Sequence, residues 1–151
     1  MLRQTLADAL KEAMKAKDQR TVATVRLILA ALKDRDIAAR ADGRPEGLSD
    51  EAILQMLSTM IRQRRESIEL YKKGGREDLA RQEEEEIAVI ERFLPPRLSD
   101  EEMARAVKQA IEEMGATGLK DMGRIMAALK ANYAGRMDFA KASGLVRQYL
   151  S

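Results

Sequence analysis

Apolar residues recur at helical spacing along nearly the whole chain, and residues 49–96 carry the longest such pattern. This stretch predicts two amphipathic helices, joined by Gly74-Gly75 and ended by Pro95-Pro96. The apolar arc of the first helix comprises Ile53, Leu57, Met60, Ile61, Ile68 and Tyr71. The arc of the second comprises Leu79, Ile87, Ile90, Phe93 and Leu94. We therefore expect a hairpin in which the two apolar faces meet.

Three charged residues fall inside these apolar arcs: Arg64 in the first helix, and Glu83 and Glu86 in the second. A charge buried without a partner is costly, so Arg64 is expected to pair with Glu83, Glu86 or both. Such a cluster can form a substrate-carboxylate site or an acid–base pair, because perturbed ionisable groups gather at active sites. Nothing nearby supplies a nucleophile, and we favour a structural ion pair that fixes the register of the hairpin.

Two further helices are predicted before this hairpin, over residues 2–16 and 19–41. The first has Leu2, Leu6, Leu10 and Met14 at intervals of four residues. Ser49 is a favourable N-cap for the helix that follows. With the hairpin, these helices form an N-terminal domain of residues 1–96.

The rest of the chain predicts a small bundle. Ser99 and Glu102 form a capping box for a helix that stops at Gly115. Two shorter helices follow, over residues 121–133 and 138–150. The predicted fold is therefore all-α, with long N-terminal helical hairpins (four helices) and a C-terminal three-helix bundle domain of residues 97–151.

The amino-acid composition limits the kinds of catalytic and metal site that the chain can form. The chain of 151 residues has no Cys and no His, which removes thiol catalysis, the commonest general base and the commonest metal ligand. We predict no catalytic residue, no metal site and no cofactor. The charged N-terminus lacks the apolar core of a secretory signal, and no stretch is long and apolar enough for a membrane span. A cytoplasmic protein with no membrane partner is expected.

Net charge is only +2, but basic residues are grouped. A stripe of Arg26, Lys33, Arg40 and Arg44 borders the second helix, and another group comprises Arg62, Arg65, Lys72, Lys73 and Arg76. Either group could contact phosphates, but from charge alone a solvated helix face is the favoured interpretation, because Lys and Arg are common surface residues. Gly123, early in a helix, could admit a phosphate or a backbone, or could mark a close contact between helices.

Several segments together resemble the GatB/YqeY family, specifically its stand-alone YqeY-like members. The matching segments, in the family's order, are RLILAALK at residues 26–33, RQRRES at 62–67, GREDLA at 75–80, Glu83, Glu86-Ile87, FLP at 93–95, DMGRIM at 121–126 and Gly135-Arg136. The part after about residue 98 is similar to the tail domain of the B subunit of the glutamine-dependent aspartyl/glutamyl-tRNA amidotransferase. The tail of that amidotransferase helps to hold tRNA, so the resemblance implies a similar role for this part of the chain.

The resemblance implies an all-helical, two-part protein linked to tRNA, with the tRNA amidotransferase or an aminoacyl-tRNA synthetase as protein partners and no DNA partner. It also implies a grouping with carbon–nitrogen ligases that use glutamine as amide donor, although the chain lacks the catalytic half of the B subunit. Our first hypothesis is a non-catalytic tRNA-binding accessory module. Its phosphate contacts would be Lys120, Arg124, Lys130, Arg136 and Lys141. The alternatives are a component of glutamine-dependent amide transfer and a helical protein–protein adaptor.

Overall fold

Seven α-helices and one short 3-10 turn make up the secondary structure, and no β-strand is present. The structure is a computed structural model that describes residues 1–151. The helices are α1 (Leu2–Lys15), α2 (Gln19–Ala41), α3 (Asp50–Lys73), α4 (Glu77–Glu91), α5 (Asp100–Met114), α6 (Met122–Asn132) and α7 (Phe139–Leu150). The 3-10 turn, Leu119–Asp121, leads into α6. The predicted all-α class is confirmed.

Local sequence signals set several of the helix ends. The Ser49 hydroxyl accepts a hydrogen bond from the Ala52 amide, and this satisfies one of the free donors at the start of α3. Ser99 and Glu102 form the predicted capping box of α5. Gly115 ends that helix with φ of 61°, in the left-handed region where glycine carries no steric penalty.

The chain divides into two compact units, Met1–Pro95 and Pro96–Ser151. In the first unit α1 packs on α2 and α3 packs on α4, while α2 also packs on α4. Short connections join the members of each hairpin, so the paired helices run antiparallel. The core consists of side chains with almost no exposed surface, among them Leu6, Ile28, Ile53, Met56, Leu57 and Ile90.

The four-residue spacing of Leu2, Leu6, Leu10 and Met14 does not place all four side chains in the core. Met14 is 52% exposed, whereas Ala13 is buried. A spacing of four residues advances about 40° further around a helix than a full turn, so Met14 lies about 120° from Leu2. Ala13 returns to within about 20° of Leu2 on the same wheel, and it therefore faces the core.

The second unit is a three-helix bundle with its own core. Helices α5, α6 and α7 all contact one another. They enclose Met103, Val107, Ile125, Leu129, Ala142 and Val146. The amide of Leu98, just before α5, donates to the carbonyl of Arg136 at a distance of 2.8 Å, which fixes the approach to α5 against the α6–α7 turn. No helix in either unit is both long enough and apolar enough to cross a membrane.

Candidate nucleic-acid interface

The three charged residues of the α3–α4 hairpin lie together. The Nε atom of Arg64 is 2.9 Å from a carboxylate oxygen of Glu86 and 3.7 Å from one of Glu83. The Nη1 atom of Arg64 also donates to the carbonyl of Met60. The side chains are largely buried, with exposed fractions of 14% for Arg64, 20% for Glu83 and 12% for Glu86.

Partial burial raises the pKa of Glu83, and the nearby Glu86 carboxylate raises it further, while Arg64 acts in the opposite direction. Arg20 of α2 approaches this cluster from the other side. Its guanidinium lies 3.0 Å from Glu85 and 3.9 Å from Glu86. The ion pairs therefore link three helices, α2, α3 and α4, and this supports the structural interpretation of the cluster over an acid–base site.

A second ion-pair network was missed in the sequence. Arg3 of α1 forms a bidentate ion pair with Asp36 of α2, in which Nη2 lies 2.8 Å from Oδ1. Arg3 also donates to the Leu48 carbonyl, and the Leu48 amide donates to Asp36 at 2.9 Å. Hydrogen bonds from Arg3 hold the pKa of Asp36 below its ordinary value, with the Leu48 amide acting in the same direction. The network fastens α1 and α2 to the loop before α3.

Gly47 packs closely against this network. Its φ of 80° lies in the left-handed region, and an added Cβ would collide with the Asp36 carboxylate, 2.9 Å from its Cγ. Asp36 lies one helical turn after Leu32, on the buried side of α2. A charged residue on an apolar face was the signal that identified Arg64, and the same signal could have identified Asp36.

In the second unit, the five cations predicted to contact phosphates fall into two groups. Lys120 and Arg124 lie at the start of α6, where Lys120 is exposed and Arg124 is 2.9 Å from Asp121. Lys130 is exposed in the last turn of α6. Because α6 has 11 residues, about 16 Å of helix separates its two ends.

Arg136 and Lys141 lie beyond the end of α6, in the α6–α7 turn and the first turn of α7. The Nε atom of Arg136 donates to the carbonyl of Pro96 at 3.1 Å, and the guanidinium carbon lies 6.0 Å from the centre of the Tyr133 ring. Lys141 is exposed and 3.9 Å from Asp100, at the rim of an open groove of about 500 Å³ between α5 and α7. Arg136 is thus held by two contacts within the chain, whereas Lys141 has only the exposed Asp100 as a partner.

The acidic residues near these cations are already engaged. Residues 114–151 contain six basic residues and only two acidic ones, Asp121 and Asp138. Asp121 accepts hydrogen bonds from Arg124 and from the Thr117 amide, which lowers its pKa. Asp138 caps α7 by accepting from the amides of Ala140 and Lys141. The α6–α7 part of the surface is therefore basic, with Lys120 and Lys130 outside any ion pair.

Gly123 lies in the first turn of α6 and is exposed. An added Cβ would meet no atom within 4 Å, so no neighbouring helix approaches this glycine in the structure. The close helix–helix contact considered for Gly123 is absent from this chain, and the space in front of it is open.

The two basic groups of the first unit differ in their surroundings. On α3, Arg65 lies 3.4 Å from Glu91 and Lys72 lies 3.5 Å from Glu84. Arg76, beyond α3, pairs with Asp78. On α2, by contrast, Arg26, Lys33 and Arg40 form no ion pair, although Arg40 donates a hydrogen bond to the Pro45 carbonyl.

Comparison with curated proteins finds relatives named "Altered inheritance of mitochondria protein 41, mitochondrial" in several yeasts. The protein of Eremothecium gossypii is 35% identical over 114 residues, which cover 74% of this chain and 60% of the relative. That of Lachancea thermotolerans is 35% identical over 107 residues, covering 70% and 55%. That of Saccharomyces cerevisiae (strain YJM789) is 29% identical over 107 residues, covering 70% and 56%. The matched part is thus no more than about 60% of the length of these relatives.

The expectation of a cytoplasmic location was wrong. The relatives are named as mitochondrial proteins, which points away from the cytoplasm. The argument rested on the lack of an apolar signal core, and that feature bears only on secretion. Mitochondrial leaders are amphipathic and basic, so the argument does not exclude them.

The family itself is identified over almost the full chain. The sequence model of the family described as "Yqey-like protein" matches residues 3–150, which include all seven helices except the outermost residue of α1. The match therefore spans both compact units and agrees with the resemblance that the sequence motifs indicate. The chain belongs to the YqeY-like family.

Proposed function

We propose that this chain is a non-catalytic accessory protein that binds tRNA through α6 and α7 of its C-terminal unit. The observation that carries the proposal is the basic surface of these two helices, whose only acidic residues, Asp121 and Asp138, are occupied by hydrogen bonds within the chain. Lys120 and Lys130 form no ion pair and are available to phosphates, which dominate the affinity of most nucleic-acid complexes. Arg124 and Lys141 each lie near one acidic residue, Asp121 and Asp100 respectively.

The spacing of the cations suits a polyanion better than a small anion. Lys130 lies six residues beyond Arg124, about 9 Å along the axis of α6, and Lys120 lies before the helix. Arg136 and Lys141 extend the set into the next helix. A single phosphate group could touch only one of these positions, whereas an RNA backbone could follow the series. The resemblance of the sequence after about residue 98 to the amidotransferase tail is the reason for proposing tRNA as the RNA, and an amidotransferase or an aminoacyl-tRNA synthetase as the enzyme it assists.

The test is a titration of fluorescently labelled tRNA with the full chain at two salt concentrations. Five phosphate contacts would give a log–log salt slope of about −4, so a threefold rise in salt would weaken binding by about 80-fold. The double substitution Lys130→Gln with Lys141→Gln removes two of the five contacts. It should make the slope less steep by about 1.5. Absence of binding at low salt would contradict the proposal.

A matched control variant shows whether a loss of tRNA binding comes from these particular cations or from the lower net charge. Arg81→Gln with Arg105→Gln removes the same two charges from exposed positions on α4 and α5, neither of which forms an ion pair. We expect this control to bind tRNA within about twofold of the unmodified chain. Equal losses in both variants would show that only net charge matters. Formation of a glutamine-dependent product on tRNA by the purified chain would instead favour a role in amide transfer.

A further inference from the structure

Helix α2 is apolar on two sides. Its inner side contributes Val25, Ile28 and Leu32 to the core of the first unit. Its outer side carries two large apolar residues in solvent, Leu27 at 47% exposure and Ile37 at 55%. The same outer side has four exposed alanines, Ala23, Ala30, Ala38 and Ala41. An exposed apolar strip of this length on one helix is typical of an interaction site.

The outer residues follow a seven-residue repeat. Ala23, Ala30 and Ile37 form one line at intervals of seven, and Leu27, Asp34 and Ala41 form a second line four residues further on. Two such lines are the seam along which one helix packs on another in a coiled coil. The seam from residue 23 to residue 41 is about 27 Å long, enough for about three heptads.

One border of the seam is basic. Arg26, Lys33 and Arg40 follow the first line at a constant offset of three residues, the flanking position that selects partners in coiled coils. None of the three forms an ion pair within the chain, although each is exposed. On α3, by comparison, Arg65 and Lys72 face glutamates of α4, whereas Arg62 and Lys73 are exposed without an ion pair.

We propose that the outer side of α2 is a docking surface for an acidic amphipathic helix of a partner protein. The alanines allow a second helix to approach closely, while Leu27 and Ile37 provide the large apolar contacts. The unpaired cations on the border match a partner helix that carries glutamate or aspartate beside its own apolar seam. This surface lies in the first unit, and the proposal is independent of tRNA binding by α6 and α7.

Two other occupants fit the surface less well. A second copy that packed its α2 antiparallel on this one would bring both rows of Arg26, Lys33 and Arg40 together, and like charges repel. A membrane surface favours bulky aromatic and leucine side chains. The outer side of α2 has mostly alanines and carries Asp34 within the seam.

The first test uses a designed helical peptide of about three heptads, with leucine and alanine along its seam and glutamate at its borders. Its affinity for the full chain is measured by fluorescence anisotropy, beside a twin peptide with lysine borders. We expect the acidic peptide to bind at least about tenfold more tightly than the basic one. Equal affinities, or no binding of either peptide, would overturn the proposal.

Variants of the chain locate the peptide on α2. Arg26→Glu with Lys33→Glu should reverse the preference, so that the lysine-bordered peptide becomes the tighter ligand by about tenfold. Leu27→Ser with Ile37→Ser should weaken the binding of the acidic peptide by a similar factor. The matched control, Leu70→Ser, removes an exposed leucine from α3 and should leave binding unchanged. An effect of Leu70→Ser equal to that of the double variant would place the peptide elsewhere.

Photo-crosslinking in living cells identifies the natural partner that binds to this surface. A photo-reactive amino acid replaces Ala30, at the centre of the seam, and Ala88 on the exposed side of α4 serves as the control position. A crosslinked peptide that is acidic and amphipathic, obtained from position 30 alone, supports the proposal. Crosslinks from that position to RNA, to lipid or to a second copy of the chain would overturn it, as would the absence of any crosslink.

Discussion

The Arg64 guanidinium of α3 lies 2.9 Å from the Glu86 carboxylate of α4, on the facing helix of the hairpin. Glu83, one turn earlier on α4, lies 3.7 Å from the same Nε atom. Arg64 is therefore the nearest cation to two carboxylates that are mostly removed from water, while Arg20 lies further away, at 3.9 Å from Glu86. The stability of the hairpin should thus depend both on Arg64 and on the protonation of the acids.

Replacement of Arg64 by Met is expected to lower the free energy of unfolding by about 2–3 kcal/mol, because the two carboxylates lose their nearest cation. The measurement is urea unfolding followed by circular dichroism. The control is Arg65→Met, since Arg65 is exposed and faces only the exposed Glu91. That change should cost less than about 1 kcal/mol. Charge reversal, Arg64→Glu, should prevent stable folding of the first unit, and a folded variant with a lost activity would instead indicate a catalytic site.

Glu83→Gln is expected to change how stability depends on pH. The pKa of Glu83 is raised in the folded chain by burial and by Glu86, so its ionised form opposes folding above that pKa. As pH falls through the raised value, Glu83 takes up a proton and the penalty disappears. The unmodified chain should therefore gain stability over this interval relative to Glu83→Gln.

Urea unfolding at a series of pH values measures this difference directly. Glu84→Gln is the matched control, because Glu84 is exposed and contacts only Lys72. Its stability should follow that of the unmodified chain in parallel at every pH. Parallel curves for Glu83→Gln as well would mean that the Glu83 carboxyl is not perturbed by its surroundings.

Alanine substitutions at two glycines distinguish the cost of a strained backbone from the cost of a steric clash. Gly43 and Gly47 both have positive φ, but an added Cβ is unobstructed at Gly43 and collides with Asp36 at Gly47. Gly43→Ala should cost about 1 kcal/mol from the left-handed backbone alone. Gly47→Ala should cost clearly more, because the side chain would also displace the Arg3–Asp36 ion pair. Thermal unfolding of the two variants provides the comparison, and equal losses would show that the loop can move aside.

Gly123→Ala is expected to stabilise the C-terminal unit by about 0.5 kcal/mol, because alanine favours a helix and the added methyl group meets nothing. The tRNA titration gives a second, independent result for the same variant. Weaker tRNA binding by a more stable protein would show that the RNA backbone approaches α6 at this glycine. A loss of stability would contradict the open space that the structure shows there.

The features foreseen from the sequence are those that depend on neighbouring residues or on one helix face. The capping box of Ser99 and Glu102 spans three residues, and the ends of α5 followed from it and from Gly115. The all-α class followed from spacing alone. Arg64 was noticed because a charge stood on an apolar face, and the facing helix joined by Gly74-Gly75 supplied its partners.

The features missed depend on contacts between distant parts of the chain. Arg3 and Asp36 are separated by 33 residues, and Arg3 and Leu48 by 45. Only the packing of α1 on α2 brings these groups together, and no periodicity within either helix encodes it. The second apolar side of α2 was also overlooked, because a helix with two apolar sides gives no clear direction to a hydrophobic arc.

Two carboxyls of the first unit, Asp36 and Glu83, have pKa values shifted in opposite directions, so a fall in pH has opposite effects on stability at the two sites. Asp36, whose pKa is lowered by Arg3, loses its stabilising contribution as pH falls through that lowered value, whereas Glu83 relieves a repulsion when it is protonated. Protection factors from hydrogen exchange at successively lower pH should therefore fall first at the amides of Leu48 and the start of α1. The amides of α4 around Glu83 should stay protected longer, so acid would open this helical unit from its N-terminal edge.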